Sequence, residues 1–163
     1  MAKADMFLKI EGKTTGPIKG ESSAPEHPEE IEILEWSWSM SGSTGLGGAG
    51  ARVRTALSEM RFGKETDRAT TQLMSVMRNN ELIKKAVLTV RKAGTLPPVE
   101  FLTITLSNAR LTSLNIGTAA PGSPTLSEQF ALAFEQIEVK YAPQRRAGDK
   151  GADLTFQAQV SSD

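Results

Sequence analysis

The chain has 163 residues, no cysteine, and nineteen basic side chains balanced by nineteen acidic ones. That length is enough for one domain with a real core, and the absence of cysteine excludes disulfides, thiol nucleophiles and cysteine zinc sites. The balanced charge argues against a general nucleic-acid or anionic-membrane binder, and it removes one obstacle to self-association.

The first strand in chain order is Met6 to Ile10, with Met6, Leu8 and Ile10 on one side. Asp5 and Lys9 break any apolar run there, so export by an ordinary amino-terminal signal is not expected, and no window approaches the roughly 20 apolar residues of a membrane span. Gly12 to Gly20, with Gly16-Pro17, reads as a turn. Glu21 to Pro28 reads as an extended loop, because two prolines and small polar residues resist helix.

The run from His27 to Met40 is the most informative. Ile31 and Ile33 share one parity, whereas Leu34, Trp36, Trp38 and Met40 share the other. Alternate side chains of a strand point to opposite faces, so the switch at Ile33-Leu34 predicts a bulge or a change of packing layer. Both tryptophans are expected to anchor one face. The stretch reads as a stiff β-hairpin carrying a glycine-rich loop over Ser41 to Ala51, with Arg52 to Phe62 returning as a strand.

One helix is expected near Thr70 to Asn79, where Ala69, Leu73, Val76, Met77 and Asn80 follow spacings of three and four. Thr70 or Asp67 is the expected N-cap, and Asn79-Asn80 the left-handed exit. Strands follow over Ala86 to Lys92 and Val99 to Leu106, with Ser107 to Leu114 continuing or pairing with that sheet and Gly117 to Pro124 as loop. Leu126 to Tyr141 carries the longest strand signal. Phe130, Leu132 and Phe134 are out of phase there with Ile137, Val139 and Tyr141, which predicts a bulge near Glu135-Gln136. Leu154, Phe156, Ala158 and Val160 form a last strand. Eight or nine strands and one helix predict a mainly β chain: a compact β-barrel of two sheets, or a tightly packed sandwich, closed to hide its edges, with one flanking α-helix. A single domain over 1–163 is expected.

Gly45-Leu46-Gly47-Gly48-Ala49-Gly50 matches GxGxxG, and Asp67 lies where a ribose-binding acid would fall. The context is wrong, because a helix must start at such a loop to meet a pyrophosphate, and the next segment alternates with period two. His27, the only histidine, sits among Glu26, Glu29 and Glu30. That grouping could suggest a metal or acid-base site, but a proline-flanked charged segment reads as a solvated loop. Glu29, Glu30, Glu32 and Glu35 could suggest paired carboxylates for glycoside chemistry. Glu30 and Glu32 are instead expected on a face outside the tryptophan layer, solvated or facing a subunit. The basic pairs Arg91-Lys92 and Arg145-Arg146 lack interleaved aromatics, a weak basis for nucleic-acid recognition. No catalytic residue, cofactor or metal is expected, and the chain does not read as an enzyme.

The order of segments resembles the Hcp family, the haemolysin-coregulated, tube-forming proteins of bacterial type VI secretion. The resemblance rests on Met6-Phe7-Leu8-Lys9-Ile10-Glu11-Gly12, Gly20-Glu21-Ser22, His27 to Trp38, Leu88-Thr89-Val90-Arg91-Lys92-Ala93-Gly94 and Tyr141-Ala142-Pro143-Gln144. Phe62-Gly63-Lys64-Glu65-Thr66-Asp67 and Glu128-Gln129-Phe130-Ala131-Leu132-Ala133-Phe134 add to it.

The resemblance implies a ring-forming barrel with one flanking helix, six copies to a ring. Rings would stack into the inner tube of a contractile injection apparatus with sheath and spike components. Effector proteins would be held in the lumen in a chaperone-like role. The subunit would be expelled from the bacterial cytoplasm with the tube, without a cleavable signal peptide. No nucleic acid and no direct membrane insertion are implied. The family places an extended arm after the tryptophan strand, here Ser41-Gly42-Ser43-Thr44-Gly45-Leu46-Gly47-Gly48-Ala49-Gly50-Ala51-Arg52, reaching the next subunit or ring. Lumen-facing residues are unknown, with Thr103, Thr105 and Ser113 as candidates. A phage-like tail-tube subunit, a monomeric β-barrel binding module and a hydrolase acting through Glu30 and Glu32 are the other readings.

Overall fold

The computed structural model describes residues 5–43, 54–92, 99–143 and 153–160. These form eleven strands and one helix: β1 Met6–Gly12, β2 Gly16–Ile18, β3 Ile31–Glu32, β4 Glu35–Ser37, β5 Met40–Ser43, β6 Arg54–Leu57, β7 Met60–Glu65, α1 Thr70–Arg78, β8 Ile83–Lys92, β9 Val99–Thr118, β10 Leu126–Tyr141 and β11 Leu154–Gln159. Nine strands make one sheet in the order β2-β1-β8-β9-β10-β7-β4, with β3 added to β1 and β11 to β10. β5 and β6 form a separate two-stranded sheet. The segment expected as a turn over Gly12 to Gly20 contains β2, which folds back on β1 in the register Ile10↔Ile18.

The chain is mainly β with two sheets and one helix, and the main ladder does not close into a continuous barrel. Residues 31–37 bridge its two sides instead. β3 pairs with β1 through Leu8↔Ile31, and β4 pairs with β7 through Trp36↔Phe62. Between them, Ile33 N donates to Met6 O (3.0 Å) and Leu34 N donates to Gly63 O (2.8 Å). The parity switch at Ile33-Leu34 is therefore a change of partner strand. Ile31 and Ile33 are fully buried, whereas Leu34 is 51% exposed and Met40 46%. Only Trp36 and Trp38 of that second parity pack against the core, so the face they anchor is narrower than the alternation predicts.

Phe62 and Phe130 stack at the centre of the core, 5.1 Å between ring centroids, surrounded by Leu8, Ile10, Met60, Leu88, Ile104, Leu132 and Ile137. A crease crosses three strands. Lys84 and Lys85 on β8, Asn108 on β9, and Glu135 and Gln136 on β10 are all exposed, flanked by buried Ile83, Ala86, Leu106, Ala109, Phe134 and Ile137. Asn108 takes φ 52 there, and its Nδ2 donates to Glu135 Oε2 at 3.0 Å. The phase change expected near Glu135-Gln136 is present, but the ladder with β9 runs in one register through it. The register shift between β10 and β9 lies instead between Ala131 and Leu132. Both strands switch faces together at the crease, so no residue is left over. The single strand β9 also joins the two segments expected over Val99 to Leu114.

Helix α1 buries Thr70, Leu73 and Val76, with Ala69 at the N-cap position and no side-chain cap bond. Met77 of the predicted stripe is 38% exposed. Neither expected cap residue sits at the cap: Asp67 Oδ1 accepts the Ala69 N–H (2.9 Å) from two residues ahead of it, and the Thr70 hydroxyl donates to Glu128 inside the core. Asn80, with φ 49, makes the left-handed exit.

Candidate assembly surface

Strands β9, β10 and β11 present two unlike faces because their side chains alternate. On the core side, Tyr141↔Leu154, Val139↔Phe156 and Ile137↔Ala158 lie opposite one another. Ile137 is buried, but the strip runs out beyond the covering layer: Tyr141 is 45% exposed, Leu154 61% and Phe156 40%. An apolar strip along an outermost strand of the sheet is a surface that calls for a partner.

The other side is polar. Its cross-strand rows are Gln159–Gln136–Ser107–Lys85, Gln157–Glu138–Thr105–Val87 and Thr155–Lys140–Thr103–Thr89. A groove of about 630 Å³ runs over the first row and over Gln157, Glu138, Thr105 and Lys140, with lining groups that are mostly amides, hydroxyls and charges. Such a lining lacks the apolar anchors of a small-molecule pocket and suits a broad polar contact. Gln157 Nε2 donates to Glu138 Oε2 at 2.6 Å, and Lys140 Nζ lies 3.3 Å from Glu138 Oε1. The Gln157 bond, followed by the Lys140 contacts, lowers the Glu138 carboxyl below its ordinary range. Thr103 and Thr105 lie on this face. Ser113 lies beyond the crease, opposite Ala131, away from these rows.

Of the arm expected over 41–52, Ser41, Gly42 and Ser43 are not loop but strand β5, paired through Ser41↔Ala56, Gly42↔Thr55 and Ser43↔Arg54. Thr44 to Arg52, with the GxGxxG string, lies outside the described residues. The β5–β6 ribbon is tied to the body at its base, where Trp38 Nε1 donates to Ser58 O (3.0 Å) and Ser39 N donates to Ser58 Oγ (2.9 Å). Ser41, Gly42, Thr55 and Ala56 are all exposed, on both faces of the ribbon. A two-stranded ribbon with no covered face is marginal on its own.

The segment expected as a solvated loop is corrected at His27 and Glu30. His27 is only 8% exposed, because its ring stacks on Phe7 with 4.7 Å between centroids and 7° between planes. Its Nδ1 lies 2.8 Å from Glu30 Oε2 and its Nε2 2.6 Å from Glu100 Oε1. Glu30 is therefore engaged at the end of the loop and does not share a strand face with Glu32, which is exposed on β3. Arg91 likewise serves the fold: it pairs with Asp5 and Glu26, each at 3.1 Å. Phe7 is the signal that could have exposed this cluster, since it is an aromatic residue on the polar parity of β1. No group of three or more histidine, aspartate or glutamate side chains able to hold a metal occurs among the described residues. Among the described residues no helix is long and apolar enough to cross a membrane.

Residues 7–141 match the family described as "Type VI secretion system effector, Hcp". The chain is 39% identical over 148 residues to the protein named Hcp1 of Pseudomonas aeruginosa, covering 90% of this chain and 88% of that one. Among solved structures it is similar to Hcp1 from Salmonella typhimurium, at 28% identity and TM-score 0.76, covering 98% of this chain and 95% of that one. A type VI secretion system effector from Yersinia pestis shares the fold at 24% identity and TM-score 0.76, covering 96% of this chain and 100% of that one. With that family matched over residues 7–141 and a relative 39% identical across 90% of this chain, the chain belongs to the Hcp family of type VI secretion proteins.

Proposed function

We propose that the chain is a structural subunit of the type VI secretion inner tube. It assembles into six-membered rings that stack, carry effector proteins in their lumen and are expelled with them. The observation that carries this reading is the two-faced edge made by β10 and β11. A ring needs a heterologous contact, in which one patch meets a different patch on the next copy and the rotation closes. The exposed strip of Tyr141, Leu154 and Phe156 supplies an apolar patch at one side of the subunit, and the polar rows behind it supply a hydrated wall. A lumen lined by amides and hydroxyls would hold cargo without gripping it apolarly. Residues 41–52 serve as the arm that reaches the neighbouring subunit or ring, with the β5–β6 pairing at its base.

Light scattering and negative-stain microscopy of the purified chain test the reading. The expected result is a hollow ring of hexamer mass, and Phe156→Glu should shift it towards monomer with its circular dichroism retained. A strict monomer across micromolar concentrations would overturn it.

A further inference from the structure

Phe7 points to the polar side of β1, away from Leu8 and Ile10, yet it is 2% exposed. What covers it is the loop over residues 20–30, which closes on itself. Gly20 N donates to Glu29 O (2.7 Å), Ser22 N donates to Glu30 O (3.0 Å), and Glu29 N donates back to Ser22 O (2.9 Å). Ends this close, with the loop's own side chain packed inward, are the mark of an Ω-loop. The inward side chain is His27.

We propose that His27 is a proton-operated clasp holding this loop over Phe7. Each ring nitrogen faces a carboxylate oxygen, Glu30 from the loop's own base and Glu100 from β9. A carboxylate only accepts, so both contacts are hydrogen bonds together only while both ring nitrogens carry a proton. The neutral ring has a single N–H, and one carboxylate then faces a lone pair. The Nε2 contact to Glu100 is the tie between loop and sheet; the Nδ1 contact stays within the loop. Glu100 is 45% exposed while the ring is 10% exposed, so the clasp is open to solvent on its β9 side.

The other charged groups around Phe7 are Asp5 ahead of β1, Lys9 two residues along β1, Glu26 in the loop, Glu32 opposite Phe7 on β3 and Arg91 on β8. The Arg91 guanidinium lies 4.7 Å from the Phe7 centroid and holds Asp5 and Glu26. An arginine stays charged throughout, so it forms a second tie that does not respond to pH. The clasp is fully closed while the ring carries both protons and loses one arm when the ring is neutral. The device works within one chain, whether or not rings form.

Hydrogen exchange read by mass spectrometry on peptides spanning 20–30, at pH 6 and pH 8, tests it in the full chain. After correction for the intrinsic rise in exchange, the wild type should open roughly ten- to hundredfold more at pH 8, as expected for losing one hydrogen bond to a charged group. Glu100→Gln should remove that dependence, because an amide both donates and accepts and so satisfies either state of the ring. His27→Gln should remove it as well, with circular dichroism confirming that each variant is folded. A wild type without the dependence, or variants that retain it, would overturn the proposal.

Discussion

Lys64 Nζ and Glu128 Oε2 lie 3.3 Å apart with both side chains fully buried, and together they fasten helix α1 to the sheet. Lys64 also donates to Asp67 Oδ1 (2.9 Å) and Glu65 O (3.0 Å), while the Thr70 hydroxyl donates to Glu128. β7 supplies the cation, β10 the anion, and the start of the helix the hydroxyl. A buried ion pair of this kind contributes little net stability against an apolar replacement, yet it is strongly destabilising when one partner alone is removed.

Lys64→Met should therefore destabilise the chain by about 3–5 kcal/mol, because it leaves the Glu128 carboxylate buried and uncompensated. The double variant Lys64→Met with Glu128→Leu should recover most of that loss. Denaturant midpoints of the two variants decide the matter, and equal losses would show that the pair is not the source.

Gly20 is required by close approach. An added Cβ would lie 2.6 Å from both Glu30 O and Ile31 Cα, backbone atoms that cannot swing aside. Gly20→Ala should cost about 1–3 kcal/mol through that overlap. Gly16 has φ +76 with open space around it, so Gly16→Ala carries only the backbone term, about 1 kcal/mol. Thermal melts of the two variants should rank in that order.

Glu81 closes the β1–β2 turn, accepting Thr15 N (3.0 Å) and Thr14 N (3.3 Å) at Oε2 and the Thr15 hydroxyl (2.8 Å) at Oε1. The Thr15 N–H is the main reason its carboxyl is held below the ordinary range. A carboxyl lowered by folding adds stability above its unfolded value, and that stability is lost as pH falls through the folded value. The stability gap between wild type and Glu81→Gln should be present at pH 7, under about 1 kcal/mol at this solvent-screened site. It should shrink as pH falls through the folded value, as read by urea unfolding across an acid pH series.

Replacing residues 44–53 by Asn-Gly should keep the β5–β6 pairing, since a two-residue turn suits the twist of a hairpin. The melting temperature should hold while ring or stacked assembly weakens, measured by sedimentation across a concentration series. Unchanged assembly would reduce the arm to a connection.

The alternation of Leu126 to Tyr141 marks the whole of β10, because a strand's period survives in its side chains whatever its neighbours are. The same logic made the break at Ile33-Leu34 legible, but not its cause. A phase change reads alike for a bulge, a crease or a switch of partner, and only the ladder separates them. His27 and Lys64 were illegible for a related reason. Their partners Glu100 and Glu128 lie 73 and 64 residues away, and local composition around each reads as solvated.

The sequence by itself determined the mainly β class, the single helix with its Asn80 exit, the absence of thiol chemistry and the family. Each of these is written in local period, composition or segment order. Only the tertiary structure decided that the ladder stays open along residues 31–37. It also decided that Tyr141, Leu154 and Phe156 lie uncovered and that the charged loop folds over Phe7. Those outcomes depend on which distant strands meet, and burial, partner choice and pairing of charge are properties of that meeting.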